Sequence, residues 1–274
     1  MKNKWLTTVT AAALLLTQCV VAGAAATSDD RIALSANGST LTGTNGGGGG
    51  SVAWLHNFDA DSLAGVAVEH QVIANSHWTF GSLNGSLTLG SGDARYSIYA
   101  EAHEGGGDDG PRAFHYSSES AGVIGTYFHR FSVQLEDRQI DIENIHGNLP
   151  KVGLSYLWNP HILTSASYSY SVNGNLGTRL TSARIDLYGS KMNFLAGVAF
   201  GQASPVILGT VSDKVVVLAP GHRLREGYVG MTKPLPHVRS ELTLVADYQD
   251  LAGSKRATVT LNYVFHVGRA GTAR

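Results

Sequence analysis

The chain of 274 residues carries 20 Lys and Arg against 21 Asp and Glu, a formal net charge of −1. Such a balance argues against nucleic-acid binding and against a polybasic membrane contact. Charged residues make up only 15% and glycines number 33, which suits short strands joined by turns. No segment beyond the N-terminal leader offers the ~18 uninterrupted apolar residues of a helical span.

The N-terminus has three parts: Lys2 and Lys4, an apolar run from Trp5 to Val21, and small residues ending in Ala24, Ala25 and Ala26. This pattern predicts a secretory signal peptide over residues 1–26, cleaved before Thr27. A retained anchor would need a longer apolar core. The only cysteine, Cys19, lies in this leader. Its LTQC context loosely resembles a lipoprotein signal, but Gln18 is bulky where that pattern wants a small residue. The remainder can form neither a disulfide nor a thiolate metal site.

Residues 27–265 read as one all-β domain, followed by a polar tail over 266–274. Candidate strands in chain order are 31–42, 50–58, 62–73, 77–90, 94–104, 113–128, 131–142, 150–158, 161–172, 178–188, 191–203, 223–233, 237–249 and 255–265. Period-two alternation is clearest at Pro160–Val172, where Ile162, Thr164, Ala166, Tyr168, Tyr170 and Val172 fall on one face. Leu163 and four serines, Ser165 to Ser171, fall on the other. A face of aromatics opposite a face of small hydroxyls, recurring behind an export signal, predicts a transmembrane antiparallel up-and-down β-barrel of 12–14 strands. The apolar phase slips by one residue within 77–90 and 131–142, as either a bulge or a misassigned strand would produce.

Connections alternate in kind. Tight turns are expected at Asp59-Ala60-Asp61, Gly90–Asp93, His129-Arg130, Asn159-Pro160, Gly189-Ser190 and Pro234–Pro236. Generally longer loops are expected at 46–50, 105–111, 145–150 and 204–222. In an outer-membrane barrel the first set faces the periplasm and the second faces outside. Trp54, Phe58, Trp78, Tyr156, Trp158, Tyr168, Tyr170, Tyr263 and Phe265 lie near strand ends, where aromatic rings favour the headgroup region and form interfacial girdles.

The opposite faces supply a lumen lining. Glu69, Arg95, Glu101, Glu136, Arg138, Arg184, Asp186, Arg239, Glu241 and Asp247 oppose apolar residues on their own strands. Both signs occur within single strands, so opposite charges can pair across a narrow bore. The arrangement suits a hydrophilic channel, and equally a shut barrel with a self-satisfied polar interior.

Two other constellations bear on chemistry. His115, Ser117 and Glu119 share one strand face and supply a base, a nucleophile and a carboxylate. The His-x-Ser pair resembles the site of outer-membrane lipid A deacylases, although that family carries it near the chain end. Eleven histidines have no metal-site spacing, so no metal and no cofactor are expected. Asp108 and Asp109, in a glycine loop, read as solvated.

From about Lys151 onward the order of features resembles the YaiO family of outer-membrane β-barrels. The stretches are KVGLSYLWNPHILTSASYSYS, TSARIDLYGSKMNFLAGVAFGQAS, GYVGMTKPLPHVRSELTLVADYQD and ATVTLNYVF. The resemblance implies no catalytic residues, and some relatives look linked to envelope polysaccharide production. Outer-membrane barrels usually end on an aromatic residue, whereas a polar tail follows Phe265 here. The expectation is a non-enzymatic pore or accessory element of polysaccharide export in the outer membrane of a Gram-negative bacterium. Expected partners are outer-membrane lipid and lipopolysaccharide, the barrel assembly machinery, a periplasmic export partner and a saccharide, with no nucleic acid. The alternatives are a lipid-modifying hydrolase using His115 and Ser117, and a closed structural or adhesive barrel binding through its outer loops.

Overall fold

The computed structural model describes residues 29–42, 46–73, 76–108, 113–143, 145–203, 222–251 and 254–267. The expectations for the leader, for Cys19 and for most of the 266–274 tail lie outside the described residues. The strands are β1 (Asp29–Leu41), β2 (Gly47–Asn57), β3 (Ser62–Ile73), β4 (Ser76–Ser91) and β5 (Ala94–Asp108). They continue with β6 (Ala113–Tyr127), β7 (Phe131–Ile142), β8 (Ile145–Asn148), β9 (Lys151–Asn159) and β10 (Ile162–Tyr170). The last five are β11 (Arg179–Tyr188), β12 (Asn193–Ala203), β13 (His222–Leu235), β14 (Ser240–Leu251) and β15 (Ser254–His266).

Each strand pairs antiparallel with its neighbour, and β1 closes on β15 from Arg31↔His266 to Leu41↔Arg256. The result is a closed antiparallel barrel of 14 staves. β8 and β9 share one stave, because Gln139↔Asn148 and Glu136↔Lys151 belong to the same register against β7. Pro150, which has no N–H to donate, interrupts it. Followed once round the wall, the paired residues return to β1 displaced by as many residues as there are staves. That shear tilts the strands about 35° and gives a backbone diameter of about 26 Å at the usual strand spacing.

Alternation decides what faces each side. Leu34, Val52, Leu83, Leu135, Val198 and Leu261 point outward and are exposed. Corrected for tilt, the outward apolar side chains form a band about 25 Å tall, the height of a bilayer's apolar core against such a barrel. Trp54, Phe58, Tyr156, Trp158, Tyr168 and Tyr170 are exposed on this face, and Tyr263 and Phe265 share it half-buried.

Several expectations change. Gly47–Gly50 and Gly105–Asp108 are strand, and 145–148 is strand where a loop was expected. Connections at the loop end are therefore not uniformly long: β3–β4, β7–β8 and β14–β15 are each joined there by two residues. Register stays regular through β4 and β7, and the one shift in the ladders falls between Ile162 and Leu163. The slipped apolar phase has another cause. Trp78, Phe80, Ile140 and Ile142 face inward and pack with Tyr116, Ile145, Leu149 and Leu176 at the loop end of the lumen. Trp78, 2% exposed, is thus no part of the outer girdle.

The tight turns use different local chemistry. At one, Asp59 Oδ1 accepts hydrogen bonds from Ser62 Oγ at 2.7 Å and from the Asp61 N–H at 2.8 Å. These bonds, that of Ser62 first, hold its carboxyl below the usual carboxylate range. At another, Phe128 and His129 both take positive φ, the geometry of a tight hairpin turn that Asn-Gly would normally announce.

Position on the wall sets the cost of substitution. Leu83→Arg, at mid-height on the outer face, should destabilise the barrel by about 2–4 kcal/mol, and Phe58→Arg at the rim by about 0–1 kcal/mol. Reversible urea unfolding in lipid vesicles measures both.

Candidate functional site: the lumen

Two charged networks occupy opposite walls of the lumen near mid-height. The first spans β5, β6, β7 and β9. His103 Nε2 lies 2.8 Å from Glu101 Oε1, and Arg138 Nη2 donates to Glu101 Oε2 at 3.1 Å. Arg138 Nε lies 3.6 Å from Glu136, and Lys151 Nζ donates to Glu136 at 3.2 Å. Tyr99 Oη donates to Glu136 Oε2 at 2.7 Å, while Gln134 Nε2 donates to Tyr99 Oη at 2.6 Å. Beside this network on β3, Glu69 accepts a 2.7 Å hydrogen bond from Gln71.

The second network runs across β11 to β15. The Arg184 guanidinium grips Asp186, with Nε donating to Oδ2 at 2.8 Å. Glu226 is opposite Gln249, Asp247 opposite Tyr228 and Thr258, and Gln249 opposite Arg256. Corrected for tilt, Glu69, Glu101, Glu136, Arg138, Arg184 and Asp247 lie within about 7 Å of the mid-height plane. They form a belt of charge around the bore.

Of the ten lining candidates, seven face the lumen: Glu69, Glu101, Glu136, Arg138, Arg184, Asp186 and Asp247. The other three lie at the tight-turn rim. Arg95, its side chain 47% exposed, reaches Asp61 at 3.5 Å. Arg239 caps the 3-10 turn Pro236–Val238 with φ 47°, so it follows no strand alternation. Glu241 is exposed beside it. Glu226 and Arg256 are lumen residues that sequence reasoning missed. Arg256 continues the polar phase opposite Ala257 and Val259, a signal that was there to read. Glu226 was masked by Arg223 and Arg225 on the other face of the same strand.

Large inward side chains lie flat against the wall because glycines on the next strand make room. The Trp78 ring covers Gly107, Phe80 covers Gly105, Tyr99 covers Gly122 and Tyr228 covers Gly197. A Cβ at any of these glycines would collide with the ring above it. These four rings therefore lie along the wall instead of projecting across the bore. Asn37 Oδ1, Asn84 Oδ1, Asn262 Oδ1 and Ser120 Oγ are shielded yet have no protein partner among the described residues. Such groups are costly in a dry interior and suit a wetted one.

His115, Ser117 and Glu119 stand in a row on the outer face of β6, running toward the loop end. His115 Nε2 is 3.4 Å from Glu104, and no hydrogen bond joins it to Ser117 or Glu119 among the described residues. No group of three metal-ligating side chains occurs among the described residues.

No protein-family model matches the chain, and no curated protein does. Solved structures do. The CymD monoaromatic hydrocarbon channel superposes with a TM-score of 0.57 at 9% identity, over 98% of this chain and 95% of that one. A TodX monoaromatic hydrocarbon channel variant gives 0.54 at 7% identity, over 97% and 96%. The KdgM porin gives 0.45 at 8% identity, over 85% and 99%. The fold is that of outer-membrane β-barrel channels.

The glycine seats can be tested. Gly122→Leu should cost about 1–3 kcal/mol through overpacking against Tyr99. Gly227→Leu, on the outer face with nothing within 4 Å of a Cβ, should be tolerated. Urea midpoints in vesicles compare the two.

Proposed function

We propose that this protein is a passive outer-membrane channel for small hydrophilic solutes, with a modest preference for cations. One observation carries the reading: the charged belt at mid-height. Any solute crossing the barrel meets Glu69, Glu101, Glu136, Asp186, Glu226 and Asp247, against the fixed cations Arg31, Arg138, Lys151, Arg184 and Arg256. Carboxylates are in excess, and a ring of excess carboxylates favours cations in a water-filled pore. Opposite charges are largely paired along the wall, which lowers the field and keeps the preference modest.

The tight-turn end, with the described termini, faces the periplasm in this reading, and the long-loop end faces out. The monoaromatic hydrocarbons named for CymD and TodX fit this lumen poorly, because an apolar molecule gains nothing by displacing water from ionised groups. Zwitterions, small cations and sugars fit better. The resemblance to YaiO-type barrels adds saccharides to the candidate cargo. The separation of His115 from Ser117 and Glu119 gives acyl transfer no geometric support.

Refolded protein in planar bilayers should show discrete conductance steps and a reversal potential on the cation-selective side. Glu226→Gln combined with Asp247→Asn should move the permeability ratio toward unity. Wild-type protein without steps above background counts against a channel.

A further inference from the structure

The lumen of a closed barrel needs no apolar core, because strand pairing and lipid contact stabilise the wall. An apolar cluster inside it calls for a separate reason. The cluster of Tyr116, Ile140, Ile142, Ile145, Leu149 and Leu176 lies on the lumen side of β6–β9, at the loop end. Five of these residues belong to the wall. Leu176, fully buried, comes from the connection between β10 and β11.

That connection does not project outward as a free loop. Beyond β10 the chain still follows the wall: Tyr170 N–H donates to Pro150 O at 3.2 Å, and Val172 and Asn148 exchange bonds of 2.8 and 2.9 Å. At Asn173, with φ 52°, and Gly174, with φ 140°, it folds back. A Cβ on Gly174 would collide with the carbonyl oxygen of His146, so the fold-back requires glycine. Asn175 then locks onto β8. Its N–H donates to His146 O, and its Oδ1 accepts from the His146 N–H, each at 2.9 Å.

Leu176 lands on Gly147, whose absent Cβ would lie 3.1 Å from Leu176 Cγ and Cδ1. Gly147 alternates with the inward Ile145 and Leu149, so this landing point is on the lumen face. Thr178, also fully buried, closes the segment: its N–H donates to Ser171 Oγ at 2.9 Å, and its carbonyl accepts from the Ser171 N–H at 2.8 Å.

We propose that Asn173–Thr178 is a fixed inward-folded constriction at the loop-end mouth, pinned by Leu176 in the luminal apolar cluster, and that it sets the size limit for solutes entering the barrel. The segment narrows the bore from the β8–β10 side, above the charged belt, so size is sorted before charge. It is held by backbone bonds and buried apolar contact, so it stays in place without a ligand. The proposal rests on the passive-channel reading, and the test separates the two.

Full-length refolded protein is compared with Leu176→Asp and with a variant lacking residues 174–177. Heat-dependent migration on gels confirms that each barrel is closed. Single-channel conductance and exclusion of graded polyethylene glycols are the readouts. Releasing the segment should raise conductance about twofold and admit larger polymers. If wild type conducts and the closed deletion variant keeps the same conductance and polymer cut-off, the constriction is disproved while the channel stands. If wild type gives no steps, both readings fall. Should Leu176→Asp not fold, the deletion variant decides alone.

Discussion

Closure of the backbone ladder is the constraint on which the rest of this structure depends. Hydrocarbon offers no partner for an N–H or C=O, and each orphan would cost several kcal/mol. The pairing of β1 with β15 removes the two free edges that every open sheet has. Once the wall is closed, alternation becomes obligatory: residues that face lipid must be apolar, and their neighbours are released from that demand. The same strand can then carry Leu135 outward and Glu136 inward.

The released face is used in two ways. At mid-height it carries charge, and Glu101, Glu136, Arg138, Lys151, Arg184 and Asp186 have opposite partners along the wall. Arg138 bridges Glu101 and Glu136 across the intervening β6, and Tyr99 lies flat over Gly122 to reach the same carboxylate. Small residues on the middle strand let side chains two strands apart meet without projecting into the bore. At the loop end the face turns apolar on one side, and that patch holds a chain segment against the wall. Charge and width are thus set at different heights.

The organisation of strands was legible because the code for a membrane barrel is local. Tyr168, Ser169 and Tyr170 declare two faces by themselves, and each of the fourteen staves was placed to within a few residues except where glycine blurs the signal. Gly47–Gly50 carries no side chains and so no alternation, yet it pairs as strand. Trp78, Phe80, Ile140 and Ile142 misled for the opposite reason. Their apolarity serves the lumen cluster: it blurred the alternation of their strands and put Trp78 in the outer girdle, the wrong face. Arg239 failed through its backbone, since a residue in a left-handed turn belongs to neither face of a strand.

By itself the sequence determined the fold class, bounded the strand count at 12–14 and marked most of the lumen face, because alternation and turn chemistry depend only on neighbours in the chain. Tertiary structure decided which charges share a height, which aromatics lie on which glycines, and where Leu176 lands. Those outcomes depend on inter-strand register and on the shear of the whole barrel. Residues as far apart as Glu69, Arg184 and Asp247 come to one level only when the ring is closed.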